Sequence, residues 1–319
     1  MRQKSCEHGT RSDSDILDQD GPRRRVYFLS GFDPRGASFY YRMFGEQVRQ
    51  LKHWSGRCLK TSHRRGQKQD HLISSWQVQE DLALRLDFCF LHWDDIARAH
   101  WPKNPLVLLR DGISIYCWYV FAGGYLKMRR LSEQVALCGL YPVLYVGTTL
   151  LVLLIACSFL GILSYLQLLP ASLLLLLQLV VVLFGCALAW RLANHLGVVW
   201  LFRSIRFTHR LGQARDGDLR RRVAELAQRI GELEASDPAA EVLLVGHSSG
   251  SFVMAMLAAE LRRQGVDRQL AGRLQLLSLG QNLANLAVHG KARAFHDDLA
   301  LLAEEPRLPW LDITSRDDY

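Results

Sequence analysis

Five residues carry the clearest chemistry in the sequence: Gly246-His247-Ser248-Ser249-Gly250. A serine hydroxyl is a weak nucleophile until it is held out on a sharp turn, near a base and near N–H groups that stabilise negative charge on an attacked carbonyl oxygen. The G-x-S-x-G spacing meets that need, because two glycines remove bulk from both flanks of a strained strand-to-helix bend. Ser248 is the candidate nucleophile, and the N–H of Ser249, at a helix N-terminus, is a candidate oxyanion donor. The competing use of such a loop is a phosphate cradle, but no lysine follows at P-loop spacing and the chain has no G-x-G-x-x-G.

The elements that must position Ser248 lie on either side of it. Residues 242–245 form a continuous apolar run, the pattern of a strand buried on both faces. From Ser251 onward, Val253, Met256, Leu257 and Leu261 recur at helical spacing, and Gly265 supplies a stop. Strand, motif and helix together resemble the nucleophile elbow of the α/β-hydrolase superfamily, in its lipase/esterase form with a histidine before the serine.

That resemblance implies an α/β fold, with a mostly parallel sheet flanked by helices. It implies hydrolysis of an ester, a lipid among the candidates, through a Ser248 acyl-enzyme, with neither metal nor organic cofactor. Residues 26–29 read as a first buried strand that runs into Ser30-Gly31-Phe32 and then a helix over 37–51. By the resemblance the Phe32 N–H is the second oxyanion donor and Gly31 allows close backbone approach, although many members carry His-Gly where this chain has Ser-Gly. The family order is serine, acid, histidine. A strand at 310–314 leads to Asp317 and Asp318, the candidate acids, with Asp318 favoured. None of the eleven histidines follows Asp318, so the base and a further strand are expected beyond Tyr319; His289 and His296 precede the acid and read as surface residues. The alternative is a catalytically inactive member that uses the fold for binding or scaffolding.

The 319 residues and formal net charge of +8 suit one α/β core plus insertions. Seven cysteines show no C-x-x-C pair and no metal spacing, which reads as reduced thiols. Residues 1–25 are polar, charged and without apolar period, so a disordered basic tail is expected there, with no secretory leader. The first part of the hydrolase-like domain is expected over 26–95, with a hairpin around the basic loop within 57–78 and another buried strand at 86–91. His92-Trp93-Asp94-Asp95 follows that strand and reads as structural or substrate-lining. Residues 96–130 mix Trp101, Tyr116, Trp118, Tyr119 and Tyr125 with Arg110, Lys127, Arg129 and Arg130, the composition of a lid or an interfacial segment.

A transmembrane hairpin is expected over 131–202, with spans at about 135–166 and 170–190. No charge interrupts the chain between Glu133 and Arg191, and each run exceeds the roughly 20 residues that cross a hydrocarbon core. Basic residues flank both outer ends, which predicts a multi-pass protein of two spans with its N- and C-terminal parts cytoplasmic, in a bacterium at the inner membrane. The bilayer is the expected partner, and no nucleic-acid motif is present. The second part of the domain is expected over 203–319. Within it Leu219, Val223, Leu226, Ile230 and Leu233 make one apolar stripe of a helix packed on the sheet.

Overall fold

The computed structural model describes residues 23–55, 59–65, 70–80, 84–168, 170–305 and 307–314. The described residues divide into two compact units, those within 1–101 and 211–314, and those within 102–210. The expected tail over 1–22 lies outside the described residues, as do Asp317 and Asp318.

The first unit is built on β1 (Arg23–Leu29), α1 (Gly36–Ser55), β2 (Leu59–Thr61), β3 (Ile73–Glu80), β4 (Leu84–Leu91) and α2 (Asp94–Ala99). The second unit holds α3 (Pro105–Phe121), α4 (Gly124–Leu131), α5 (Glu133–Tyr165), α6 (Ala171–His195) and most of α7 (Val198–Gly212). The chain then returns to the first unit with α8 (Gly217–Ser236), β5 (Glu241–His247), α9 (Gly250–Arg263), α10 (Val266–Gln269), β6 (Leu274–Leu279), α11 (Leu283–Ala287), α12 (Arg293–Ala303) and β7 (Trp310–Ile313).

Among the described residues seven strands make one sheet, in the order β2-β3-β4-β1-β5-β6-β7. β4, β1, β5, β6 and β7 run parallel, and β2 and β3 pair antiparallel. Alternation along β1 sends successive side chains to opposite faces. Phe28 meets Tyr40 of α1 at a ring distance of 5.6 Å, in an aromatic cluster with Trp76, Phe88 and Phe90. Tyr27 points the other way and donates its hydroxyl to Glu234 of α8 at 3.0 Å. The expected stripe on α8 is buried at Leu219, Val223, Leu226 and Ile230.

β1 starts at Arg23, so Arg23, Arg24 and Arg25 belong to the sheet and not to the tail. Arg23 and Arg25 share a face, and acids meet both. Arg23 pairs with Asp87 and Asp237, and Arg25 with Glu234 at 2.7 Å. A run of three arginines reads as solvated until the carboxylates that neutralise it are known.

In the second unit α5 and α6 are long and apolar enough to cross a membrane, with mean hydropathy of 2.5 and 2.6 over their most apolar windows, none of which is buried. At the helical rise they extend about 50 and 37 Å, against a hydrocarbon core of about 30 Å. They pack together through Gly185 against Leu153 and a hydrogen bond from the Tyr145 hydroxyl to Ala189 O at 2.7 Å. α3 packs Leu108 and Ile115 against Val198, Val199 and Phe202 of α7. The insertion therefore starts near 102 and runs to 210, where the sequence placed its membrane part within 131–202.

Candidate functional site

Ser248 lies where the chain leaves β5 for α9, at the C-terminal edge of the parallel strands. β1 has β4 on one side and β5 on the other, and the chain passes from one side to the other only after β4. The β1/β5 boundary is thus a topological switch point, the place where an open α/β sheet leaves a crevice for ligands.

The turn is strained. Ser248 has φ of 53°, a left-handed conformation that costs an L-residue about 1–2 kcal/mol. It is held by the Ser248 N–H donating to Leu279 O at 2.9 Å, and by the Ser248 carbonyl accepting from the Ser251 N–H at 3.0 Å and the Ser251 hydroxyl at 2.6 Å. A Cβ on Gly246 would lie 2.7 Å from Gly250 O and from Ser251 Cα. One on Gly250 would lie 2.5 Å from Ser30 O, so the start of α9 crosses directly over the end of β1. Both contacts are with backbone, which cannot swing aside, so the two glycines are required by the turn itself.

The loop after β1 runs alongside. A Cβ on Gly31 would stand 3.3 Å from Ser248 Cβ. Phe32 is buried, its ring stacked on Trp101 at 5.3 Å. The loop is fastened at several points: Trp93 Nε1 donates to Ser30 O at 3.1 Å, Arg98 to Pro34 O at 2.8 Å, and Arg35 and the Tyr40 hydroxyl to the Asp33 carboxylate. Burial would raise the pKa of Asp33, but the hydrogen bonds and charge of Arg35 outweigh it and hold that carboxylate below its usual range. Ser249 is the N-cap residue of α9, where the first N–H groups have no partner inside the helix. Ser249, Gly31 and Phe32 are thus brought to the same end of the sheet as Ser248.

Asn282 has a side chain that reaches Ser248. Its Nδ2 donates to Ser248 Oγ at 3.1 Å, its N–H donates to Ser251 Oγ at 3.0 Å, and its Oδ1 accepts from Asn285 at 3.1 Å. By sequence Gln281 and Asn282, just after the strand that ends at Gly280, read as capping residues that could also line a pocket; Asn282 does sit at the N-cap of α11, but its side chain makes no capping hydrogen bond, its amide being turned to Ser248. Among the described residues no histidine hydrogen-bonds to Ser248 Oγ. His296 bonds to Ala287 O at 2.8 Å, and His289 is buried against Gly212, not on the surface as its sequence neighbourhood suggested. No group of three or more His, Cys, Asp or Glu among the described residues is placed to hold a metal ion.

A second serine, histidine and aspartate meet elsewhere. Ser74 Oγ lies 2.9 Å from His92 Nε2, and His92 Nδ1 lies 2.9 Å from Asp94 Oδ1. All three are buried, and Arg98 pairs with Asp94 at 2.5 Å. Ser74 lies in regular strand opposite Phe90, so His92, two residues on, shares its face. This network joins β3, the end of β4 and, through Arg98 and Pro34, the loop that carries Phe32. Burial would raise the Asp94 pKa, but His92 and Arg98 outweigh it and the net shift is downward. The ionised form is therefore favoured by folding. Its stabilisation is fully present above the unfolded value of about 3.9 and is lost as pH falls through the lower folded value. Asp94→Asn is expected to lower the Tm near neutral pH, with the gap to the unmodified chain narrowing below about pH 4. Thermal melts across that range check it, and a gap of constant size would contradict the assignment.

Comparison with protein-family models, curated proteins and solved structures found no match to this chain. The class that the fold defines is an α/β protein with a seven-stranded, mostly parallel sheet flanked by helices. Its sheet domain is interrupted by a helical insertion that has, among the described residues, two helices long and apolar enough to span a membrane.

Proposed function

We propose that the chain is a membrane-anchored serine hydrolase of the α/β-hydrolase type, cleaving an ester through an acyl-enzyme on Ser248. The observation that carries this reading is the left-handed backbone of Ser248 between β5 and α9, at the switch point of the sheet. Strain of that kind in a non-glycine residue persists where surrounding structure enforces it, and it clusters at functional sites. In the proposed reaction Ser248 Oγ attacks the ester carbonyl carbon and its proton passes to a base. The tetrahedral oxyanion is held by the N–H groups of Ser249 and Phe32. Collapse breaks the bond to the leaving alcohol, which takes up a proton, and water then releases the acid and restores the serine. Asn282 fixes the Oγ rotamer by donating to it, which leaves the hydroxyl hydrogen free to turn toward the base. Asp318 or Asp317 is the proposed orienting acid, and the reading assigns no role to a metal or cofactor.

The apolar insertion makes a lipid or another amphipathic ester the proposed substrate. Lys127, Arg129 and Arg130 on one flank, with Arg191, Arg203, Arg206 and Arg210 on the other, support cytoplasmic N- and C-terminal parts. In a bacterium the membrane would be the inner one.

Asn282 also supports a second reading. An amide cannot accept the serine proton, so a site where asparagine is the partner of Ser248 suits a non-catalytic member that binds or scaffolds. A fluorophosphonate probe applied to the natural full-length protein in its membrane separates the two. Covalent labelling at Ser248 supports the hydrolase; an unlabelled Ser248 in the folded protein supports the binding module.

A further inference from the structure

The pairing of the sheet limits how often the insertion can cross a membrane. β1 and β4 precede it and β5 follows it, yet β5 pairs along β1 residue by residue, Phe28 with Val245 and Leu29 with Gly246. One hydrogen-bonded sheet cannot have strands on opposite sides of a bilayer. Both ends of the insertion are therefore on one side, and the number of crossings between them is even. α5 and α6 supply two. α3 and α4 form a bent apolar pair that would by composition make a third, and an odd count is incompatible with the β1–β5 ladder.

α3 is nonetheless no ordinary water-facing helix. Leu109, Ile113 and Phe121 are 60, 63 and 84% exposed, while Leu108, Ile115 and Tyr119 are buried on its packed side. A helix apolar on its packed and its open faces is solvated by lipid. Its one carboxylate is neutralised: Asp111 accepts from Arg206 of α7 at 2.6 Å and pairs with Arg110 at 2.9 Å. At about 25 Å, α3 is shorter than the hydrocarbon core. The chain then breaks at Gly123, where φ is 74°, the axis turns by 67°, and α4 brings Lys127, Arg129 and Arg130 within two turns of the bend.

We propose that α3 and α4 form a re-entrant element. α3 enters the leaflet by which the chain arrives, the turn around Phe121 is its deepest point, and α4 returns its basic side chains to anionic headgroups of the same surface. The partner is the leaflet itself, with acyl chains against Leu109, Ile113 and Phe121. The inference rests on α5 and α6 being spans, and it is independent of the chemistry of Ser248.

The test places a fluorescent non-natural amino acid at Phe121 of the otherwise unaltered chain, in vesicles of phosphatidylcholine and phosphatidylglycerol. A second protein carries the probe at Leu154 of α5 as the reference span. Quenchers are lipids brominated along the acyl chain, and iodide added on one side or the other. The expected result is loss of most of the Phe121-site fluorescence to brominated lipid, none to iodide on either side, and the same for Leu154. Quenching at Phe121 by iodide from the side of the chain ends means a water-exposed helix pair, and from the far side a full span; either overturns the proposal. A Leu154 probe that brominated lipid leaves unquenched overturns the spans and the re-entrant element together. Folding of each labelled protein is checked by intact far-UV circular dichroism, and the same substitution at Ile113 repeats the test should the Phe121 variant not fold.

Discussion

Ser248→Ala and Ser248→Gly are both expected to abolish fluorophosphonate labelling and to lower ester hydrolysis by about 10⁴-fold or more, the scale of loss when a serine nucleophile is removed. Their stabilities should differ. Alanine keeps the left-handed strain of the turn, whereas glycine adopts φ of 53° at no steric cost. The relief is about 1–2 kcal/mol, and the greater freedom of an unfolded glycine returns about 0.4–1 kcal/mol of it. Taking the middle of each range, Ser248→Gly should thus be more stable than Ser248→Ala by about 0.8 kcal/mol. The comparison isolates the backbone, because both variants lose Oγ and with it the hydrogen bond from Asn282. Denaturant unfolding of the two variants checks it. A Ser248→Gly variant less stable than Ser248→Ala by about 0.4–1 kcal/mol, the glycine entropy alone, would mean that the bend stores no strain, and residual hydrolysis at the unmodified rate would mean that Ser248 is not the nucleophile.

The same turn shows why this part of the fold was legible in the sequence. Gly246 and Gly250 each stand against backbone atoms, so any side chain there is excluded by contacts that no rotamer change relieves. A requirement of that kind leaves a fixed spacing. The apolar runs of β5 and of α5 and α6 are legible for a related reason, since a strand buried on both faces, or a helix apolar on every side, leaves no polar positions to blur the pattern.

What the sequence hid depends on partners far away along the chain. Arg23 to Arg25 looked like the end of a solvated tail because Asp87, Glu234 and Asp237 are many residues distant. The hairpin around the basic loop is present as β2 with β3, but the antiparallel pairing of β3 with β4 sets the register that brings Ser74 to His92. Asn282 follows β6 in a stretch that resembles any capped loop; only the position of β6 beside β5 delivers its amide to Ser248. Likewise, the aromatic and basic mixture over 96–130 suggests a lid or an interfacial segment, while the limit proposed for its crossings rests on the β1–β5 ladder. Local periodicity gave the elements; strand order gave the meeting points.

Glu234→Leu is expected to destabilise the sheet domain by about 3–5 kcal/mol, the usual cost of breaking one side of a buried ion pair. Glu234 is fully buried near the end of α8. It accepts from Arg25 at 2.7 Å, from the Tyr27 hydroxyl at 3.0 Å and from the Ala239 N–H at 3.1 Å, with Arg273 at 3.5 Å. Burial by itself would lower the pKa of Arg25, yet Tyr27 and Glu234 outweigh it and the net shift is upward, so the guanidinium stays charged. Removing the carboxylate therefore leaves a buried cation with weaker partners in Asp87 and Asp237, and a tyrosine hydroxyl and an N–H without acceptors. Glu234→Gln keeps an acceptor and should lose less. The double variant Arg25→Met with Glu234→Leu removes both charges and should be more stable than the sum of the single losses by about 2 kcal/mol. Arg25 lines a cavity at the far end of β1 from Ser248, where Arg23, Asp87 and Asp237 also border a space of about 260 Å³. Labelling at Ser248 below the unfolding transition should accordingly be the same in the single and double variants. Hydrogen exchange along β1 and β5 reads the stability of this end directly, and strictly additive losses would show that the pair is not coupled.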